Sequence, residues 1–200
     1  MKASLRTRVL LGIAVPLALF LIIAGLTWYL QSTGKRRALT ASERSVLVTA
    51  KDLFAMSSQP ELYMQAEDSG EREDLLDGSA TLTAEYQSEK PPMYVVSQVA
   101  LEPSERAAKL TWQSLSIGGF MGIAVESKDV VLVNRDDLYA WGDESKSQLL
   151  TIDGKPVGHF FVIRKGRRVF MTIFSGVYFD EAAPLAALLT PKLEAMERLP

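Results

Sequence analysis

The sequence contains no cysteine and only one histidine. Without cysteine there are no disulfides, no thiolate metal sites and no thiol catalysis, and one histidine cannot supply a multi-histidine metal site. Neither charge sign dominates, because 22 Lys and Arg stand against 24 Asp and Glu, for a formal net charge of -2. This near-balance argues against general nucleic-acid binding, so we predict no nucleic-acid partner.

The common motifs of acyl and nucleotide chemistry are also absent. The sequence lacks the hydrolase elbow G-x-S-x-G, the phosphate loop G-x-x-x-x-G-K-S/T and the turn G-x-G-x-x-G. One S-x-x-K match, Ser32 to Lys35, directly follows an apolar segment, and we interpret it as chance spacing. We therefore predict no cofactor, no metal site and no catalytic residue.

One long apolar run lies near the start of the chain. Residues 9–30, VLLGIAVPLALFLIIAGLTWYL, form 22 residues without a charge, and about 20 helical residues suffice to cross a bilayer core. A cleaved signal has a shorter apolar region and a cleavage site of small residues, whereas this run ends in Trp28-Tyr29-Leu30. The pattern predicts a single-pass transmembrane helix that remains as a signal anchor, with the lipid bilayer as a partner.

The orientation of this anchor depends on its flanks. Lys2, Arg6 and Arg8 precede the run and residues 35–37 (KRR) follow it, so the positive-inside comparison is nearly a tie. The first eight residues are too few for a domain, and such short basic tails generally stay cytoplasmic. We therefore expect the rest of the chain to be extracytoplasmic, in the periplasm, where another membrane or envelope protein would be its partner.

The chain divides into four parts on these grounds. We assign 1–8 to a basic tail, 9–30 to the transmembrane anchor, 31–39 to a juxtamembrane linker and 40–200 to one folded domain. With the three leading basic residues set aside, the remaining 19 basic and 24 acidic residues make the part beyond the anchor acidic.

The folded domain begins with a predicted helix. Residues 40–43 (Thr-Ala-Ser-Glu) form a capping box, and helical spacing then places several apolar residues on one face before Ser57. Two uses of this face are open: it packs on the downstream domain, or it pairs with a second protomer as the stalk of a homodimer. Its members are Val46, Leu47, Ala50, Leu53 and Phe54.

The remaining pattern predicts an α+β fold. An acidic, solvated loop over 61–77 is followed by two strands, a helix that Gly118-Gly119 ends, five short strands and a last helix that Pro191 bends or splits. The strands are predicted at 79–87, 93–101, 120–126, 130–134, 148–153, 157–164 and 169–174, and the last helix at 180–199. We expect an antiparallel sheet that two or three helices cover on one face. This order of elements resembles the PsbP-like class of small sandwiches, which implies a fold and no function.

The most distinctive candidate site is a basic hairpin tip in an otherwise acidic domain. It consists of Arg164, Lys165, Arg167 and Arg168. Such a tip is either a solvated turn that protects strand ends, or a contact for an acidic partner or a phosphate group, which arginine grips with two hydrogen bonds.

The remaining candidates for chemistry are weaker. His159 begins a strand that is apolar on both faces, where a structural role is the default, although Asp153 near the other arm of the hairpin could orient it as a base. The carboxylate pairs 136–137 and 143–144 suit turns. We therefore predict a non-catalytic accessory or sensor protein that binds a protein partner or a small ligand. The alternatives are a membrane-tethered hydrolase that uses His159, and a structural, dimerising subunit of a membrane complex.

Overall fold

The computed structural model describes residues 34–56, 69–89, 92–126 and 130–200. The predicted tail and anchor, residues 1–30, lie outside the described residues. Within the described ranges, no helix combines the length and the apolar character that crossing a membrane requires.

The described chain forms an α+β fold with eight strands and four helices. All neighbouring strands are antiparallel, and their order in the sheet is β1-β2-β3-β4-β8-β7-β6-β5. The elements are β1 Lys35–Ala38, α1 Ala41–Ser45, α2 Ala50–Met56, β2 Ser69–Asp74, β3 Ala80–Glu89, β4 Pro92–Leu101, α3 Glu105–Glu126, β5 Val130–Asn134, β6 Glu144–Ile152, β7 Lys155–Lys165, β8 Arg168–Ser175 and α4 Ala182–Glu197.

Helices cover the sheet on both faces. Strand β7 is buried over 158–163 (GHFFVI), and successive strand residues point to opposite faces. Phe161 and Ile163 join a cluster with α2, α4 and residues 46–48, whereas Phe160 and Val162 join a second cluster with α3. The predicted central, doubly covered strand is thus confirmed, and the expectation of helices on one face is wrong. The sheet needs two layers of helices because β7 and β8 are apolar on both sides.

The first helical layer contains two short helices where the sequence predicts one. Thr40 and Glu43 form the predicted capping box at the start of α1. The chain then leaves the helix, and the Val48 amide donates to the buried Ser97 hydroxyl at 2.9 Å. A second capping pair restarts it, because the Asp52 carboxylate accepts from the Thr49 amide at 2.8 Å while the Thr49 hydroxyl accepts from the Asp52 amide. Thr49-x-x-Asp52 is a readable cap signal that our sequence analysis missed.

Helix α3 corrects two further predictions. It runs over Glu105–Glu126, through Gly118-Gly119 and through the segment predicted as a strand at 120–126. A helical glycine costs about 1 kcal/mol relative to alanine, which weakens a helix without ending it. The Trp112 indole donates to the Val162 carbonyl at 3.2 Å, and Lys146 donates to the Ser116 carbonyl at 2.9 Å, so the sheet holds this helix in place.

Strands β1 and β2 lie where we predicted a linker and an acidic loop. Neither is apolar, since their sequences are KRRA and SGERED. Opposite charges on the two strands pair instead: Arg36 lies 3.3 Å from Glu73 and 3.6 Å from Glu71. The folded domain therefore includes residues that we had assigned to the 31–39 linker.

The last four elements largely follow the sequence. Strands β6, β7 and β8 form the predicted meander, and the Asp153-Gly154 turn has φ angles of 51° and 73°, as the Asp-Gly pair indicates. Helix α4 is continuous through Pro191 and is not split. Five buried side chains outweigh the missing hydrogen bond, because each contributes about 1.5–3 kcal/mol on burial. They are Leu185, Leu188, Leu189, Leu193 and Met196.

Candidate anion-binding cleft

A cleft opens at one end of the sheet, where four neighbouring strands finish in the same row. The register places Asp74 opposite Ala80, Ala80 opposite Leu101, and Leu101 opposite Arg168. The turns beside this row complete a cavity of about 290 Å³. Its lining residues are Arg72, Asp74, Gly78, Ser79, Ala80, Leu101, Glu102, Pro103, Arg167, Arg168 and Pro200.

Arg72 forms one wall of this cleft, and carboxylates already hold its guanidinium. It donates to Asp74 at 2.7 Å and to Glu43 at 2.6 Å. Glu43, on α1, is buried and also receives two hydrogen bonds from Arg37, at 2.7 and 2.6 Å. The Arg37 guanidinium is the main cause that holds the pKa of the Glu43 carboxyl far below its usual range. This charge cluster connects β1, α1 and β2. The role of Arg72 in the cleft is therefore structural, because its guanidinium already binds carboxylates.

The opposite wall carries two arginines whose guanidinium groups have fewer hydrogen-bond partners than that of Arg72. Arg168 donates to the Leu199 carbonyl, but its Nε is buried and has no acceptor among the described residues. Arg167 is exposed, and the contacts of the described residues include no hydrogen bond or ion pair from its guanidinium. Its backbone carbonyl accepts from the Glu102 amide at 2.9 Å, which fixes the hairpin against the end of β4. The exposed Arg167 guanidinium can therefore bind an incoming anion.

The structure divides the predicted basic tip into two halves. Arg164 is largely buried and pairs with Glu144 at 2.5 Å and with Asp143 at 3.4 Å. Lys165 lies 3.5 Å from Asp143. Their charges are compensated within the domain, so only Arg167 and Arg168 enter the cleft. The sequence could not indicate this division, because the compensating carboxylates lie about 20 residues earlier in the chain, at the start of β6 and just before it.

Three of the four paired carboxylates have partners at turns, as the sequence suggested, whereas Glu144 lies in β6 and pairs with Arg164 of β7. Asp136 accepts from the Ser147 amide at 2.9 Å, and Asp137 pairs with Arg135 at 2.9 Å. Asp143 accepts from the Gly166 amide at 2.8 Å, which lowers the pKa of its carboxyl. Because each of these carboxylates has a partner in a turn or on a neighbouring strand, neither pair forms an acid–base dyad.

His159 is a buried core residue. It is fully buried and stacks between Phe161 and Phe179, with ring centroids at 5.5 and 6.2 Å. Its Nε2 accepts from the Phe179 amide at 2.9 Å, so the neutral ring carries its proton on Nδ1, which has no partner among the described residues. Burial lowers the pKa of His159 to about 4. No described carboxylate bonds to the ring, and no substrate can reach it, so the geometry gives no support to the hydrolase alternative.

The predicted stalk face is part of the core of its own domain. Val46, Leu47, Ala50, Leu53 and Phe54 are at most 2 % exposed and pack in the cluster beneath α4. The structure thus shows the first of the two alternatives for this face, packing on the downstream domain. In this fold the face is not available for pairing with a second protomer.

Comparison with known proteins adds no relative. The chain matches no family model, no curated protein and no solved structure.

We expect His159 to stay neutral far into the acidic range. Because it is the only histidine in the chain, ¹³C-labelling of histidine in untagged protein gives one ring signal to follow against pH. That signal should stay constant from pH 8 to about pH 5, since the pKa is about 4. A midpoint near 6.5, the value of a solvated imidazole, would contradict the buried arrangement.

The same shift predicts a pH dependence of stability. The pKa of His159 is lower in the folded chain than in the unfolded chain. The stability that comes from keeping the ring neutral is therefore fully present above pH 6.5 and is lost as the pH falls toward 4, by roughly 3 kcal/mol in total. His159→Gln keeps an acceptor near Nε2 and does not titrate. Its free energy of unfolding in urea should therefore depend less on pH between 6.5 and 4.5 than that of the parent protein.

Glu43→Gln should destabilise the domain by about 2–4 kcal/mol, because it leaves the buried side of Arg72 without its carboxylate. The depressed pKa of Glu43 contributes stability above about pH 4.5 that is lost as the pH falls further. The free energy of unfolding of the variant should therefore depend less on pH below pH 4.5 than that of the parent protein. Above pH 4.5 it should keep the pH dependence that His159 causes. Glu71→Gln removes a carboxylate from a half-exposed ion pair on β2, next to Arg72. It is the control and should change stability by less than about 1 kcal/mol.

Proposed function

We propose that this chain is a bilayer-tethered, non-catalytic binding protein. In this proposal the apolar segment 9–30 holds the domain at the outer face of the cytoplasmic membrane, and the cleft beside Arg167 and Arg168 takes an acidic group of an envelope protein. The observation that carries the proposal is the exposed Arg167 guanidinium, which has no hydrogen-bond or ion-pair partner among the described residues and lines an open cleft beside Arg168.

The size and charge of the cleft favour a small anionic group. A volume of about 290 Å³ is at the lower limit of ligand sites, which span about 300–1,000 Å³. This volume has room for one acidic side chain or a terminal carboxylate, and an arginine can bind either with two parallel hydrogen bonds. Asp74 is held by Arg72, and the Glu102 carboxylate accepts from the Thr111 hydroxyl at 2.6 Å. Among the described residues, neither acid forms an ion pair with Arg167.

Two observations disfavour catalysis within the described part of the chain. The single imidazole is buried against three phenylalanine rings. In addition, no His, Asp or Glu cluster of the described residues has the arrangement of a metal site. The cleft itself presents arginine donors, which bind and orient an anion.

Reversal of the charge at Arg167 tests the cleft. Arg167→Glu should lower recovery of the partner at least tenfold in cross-linking and affinity purification from solubilised membranes, because one charge-assisted hydrogen-bond pair is replaced by repulsion. Lys165→Glu is the matched control, since Lys165 lies on the same hairpin but pairs with Asp143 outside the cleft. Equal recovery with both variants would rule out the cleft as the binding site.

The tether and its orientation are tested separately. The full chain should stay in the membrane pellet after carbonate washing, and a chain that begins at Gln31 should not. A reporter fused after Pro200 should be active only if it is of a type that works outside the cytoplasm. Release of the full chain by carbonate, or activity of a cytoplasmic reporter only, would contradict this part of the proposal and leave the cleft hypothesis standing.

A further inference from the structure

The outer edge of β5 is open and carries no charge. Strand β5 ends the sheet, and among the described residues no strand pairs with its outer side. Proteins usually block such an edge with a charged residue or a proline. The sequence of β5 is VVLVN, which contains neither, whereas the strand at the opposite edge, β1, is KRRA. Only one of the two edges is thus protected by charge against pairing with another strand.

The exposed face of β5 is apolar as well. Val131 is 58 % exposed and Val133 is 42 % exposed. They alternate with Val130 and Leu132, which are partly buried against the α3 cluster. Leu149 of β6 lies opposite Val133 and is only half-buried. The edge therefore combines unpaired backbone groups with an uncovered row of branched side chains.

We propose that β5 pairs with β5 of a second copy of this chain, antiparallel and about a two-fold axis at Leu132. In this arrangement Val131 lies opposite Val133 of the other copy, and Leu132 lies opposite its own counterpart. The two eight-stranded sheets become one continuous sheet. The proposal does not depend on the function assigned to the cleft.

Self-pairing is favoured over other occupants by charge and register. A two-fold axis perpendicular to the sheet joins each face of one copy to the same face of the other. Residues that lie opposite one another must therefore point to the same face, and an axis at Leu132 meets this condition for all five residues of β5. The exposed valines then meet exposed valines, and β-branched pairs opposite one another stabilise a sheet. No like charges face each other, because β5 has none. The same operation on β1 would bring Arg36 and Arg37 beside their copies, which is destabilising.

The size of the contact sets its strength. Five paired residues extend over only about 17 Å of strand, and stable interfaces bury about 800 Å² on each partner. The β5 contact is smaller than that, so the association should be reversible and should increase with protein concentration.

Disulfide trapping tests the register, and the absence of native cysteine makes the test clean. Val131→Cys and Val133→Cys are made in the full chain, each with a tag of different length, and are co-expressed in one membrane and oxidised with copper–phenanthroline. Opposed residues have Cβ atoms about 4.5–5.5 Å apart, close enough to form a bridge with a small adjustment. Each variant alone would need two copies of one residue to meet across roughly 8 Å, beyond the reach of a disulfide.

The mixed dimer should therefore form at least tenfold faster than either homodimer. Absence of the mixed dimer, equal rates for all three dimers, or trapping of a different polypeptide in its place would each overturn the proposal.

As a second measurement, Val131→Lys should reduce the dimer fraction of the detergent-solubilised chain in sedimentation velocity at least fivefold. Because Val131 is exposed, the thermal unfolding midpoint of this variant should not change. An unchanged dimer fraction would overturn the proposal.

Discussion

Strand β7 has apolar side chains on both of its faces, and it pairs with β6 on one side and β8 on the other. A strand of this kind cannot face water on either side, so helices have to pack above and below the sheet. Helix α3 meets this need on one face, and α2, α4 and the segment 46–48 meet it on the other. The burial of His159 is a consequence of the same constraint, because it lies in the buried part of β7 and becomes a neutral member of an aromatic cluster.

A second, electrostatic arrangement holds the polar end of the domain. Strands β1 and β2 contain almost no apolar side chains, and the buried Glu43 compensates for this by joining Arg37 of β1 to Arg72 of β2. One partner of this cluster, Arg72, also lines the cleft. In one wall of the cleft the arginine is bound to carboxylates, whereas the opposite wall presents the exposed guanidinium of Arg167 beside Arg168. This asymmetry is the basis for assigning anion binding to the hairpin side.

Predictions of secondary structure from the sequence were correct where the local pattern allowed one structure, and wrong where it allowed two. The capping box at Thr40, the alternation along β3 and the Asp153-Gly154 hairpin each depend on neighbours in the chain, and all three are present. The strand predicted at 120–126 failed because a short apolar run has no period that separates a strand from a buried helix. The single long helix failed because Ser97, a distant residue, takes the Val48 amide at a point where a second capping pair could start a new helix.

The sequence by itself determined the class of fold, the doubly buried strand, the lack of thiol chemistry and the basic hairpin tip, because these follow from residue type and local periodicity. The tertiary structure alone decided which charges of that tip are neutralised, since Asp143 and Glu144 are about 20 residues away in the chain yet lie beside Arg164 and Lys165. It also decided that β1 and β2 are strands and that only the β5 edge is uncharged. The physical reason is common to all of these: ion pairing, burial and edge position depend on which strands become neighbours, and local sequence does not encode that order.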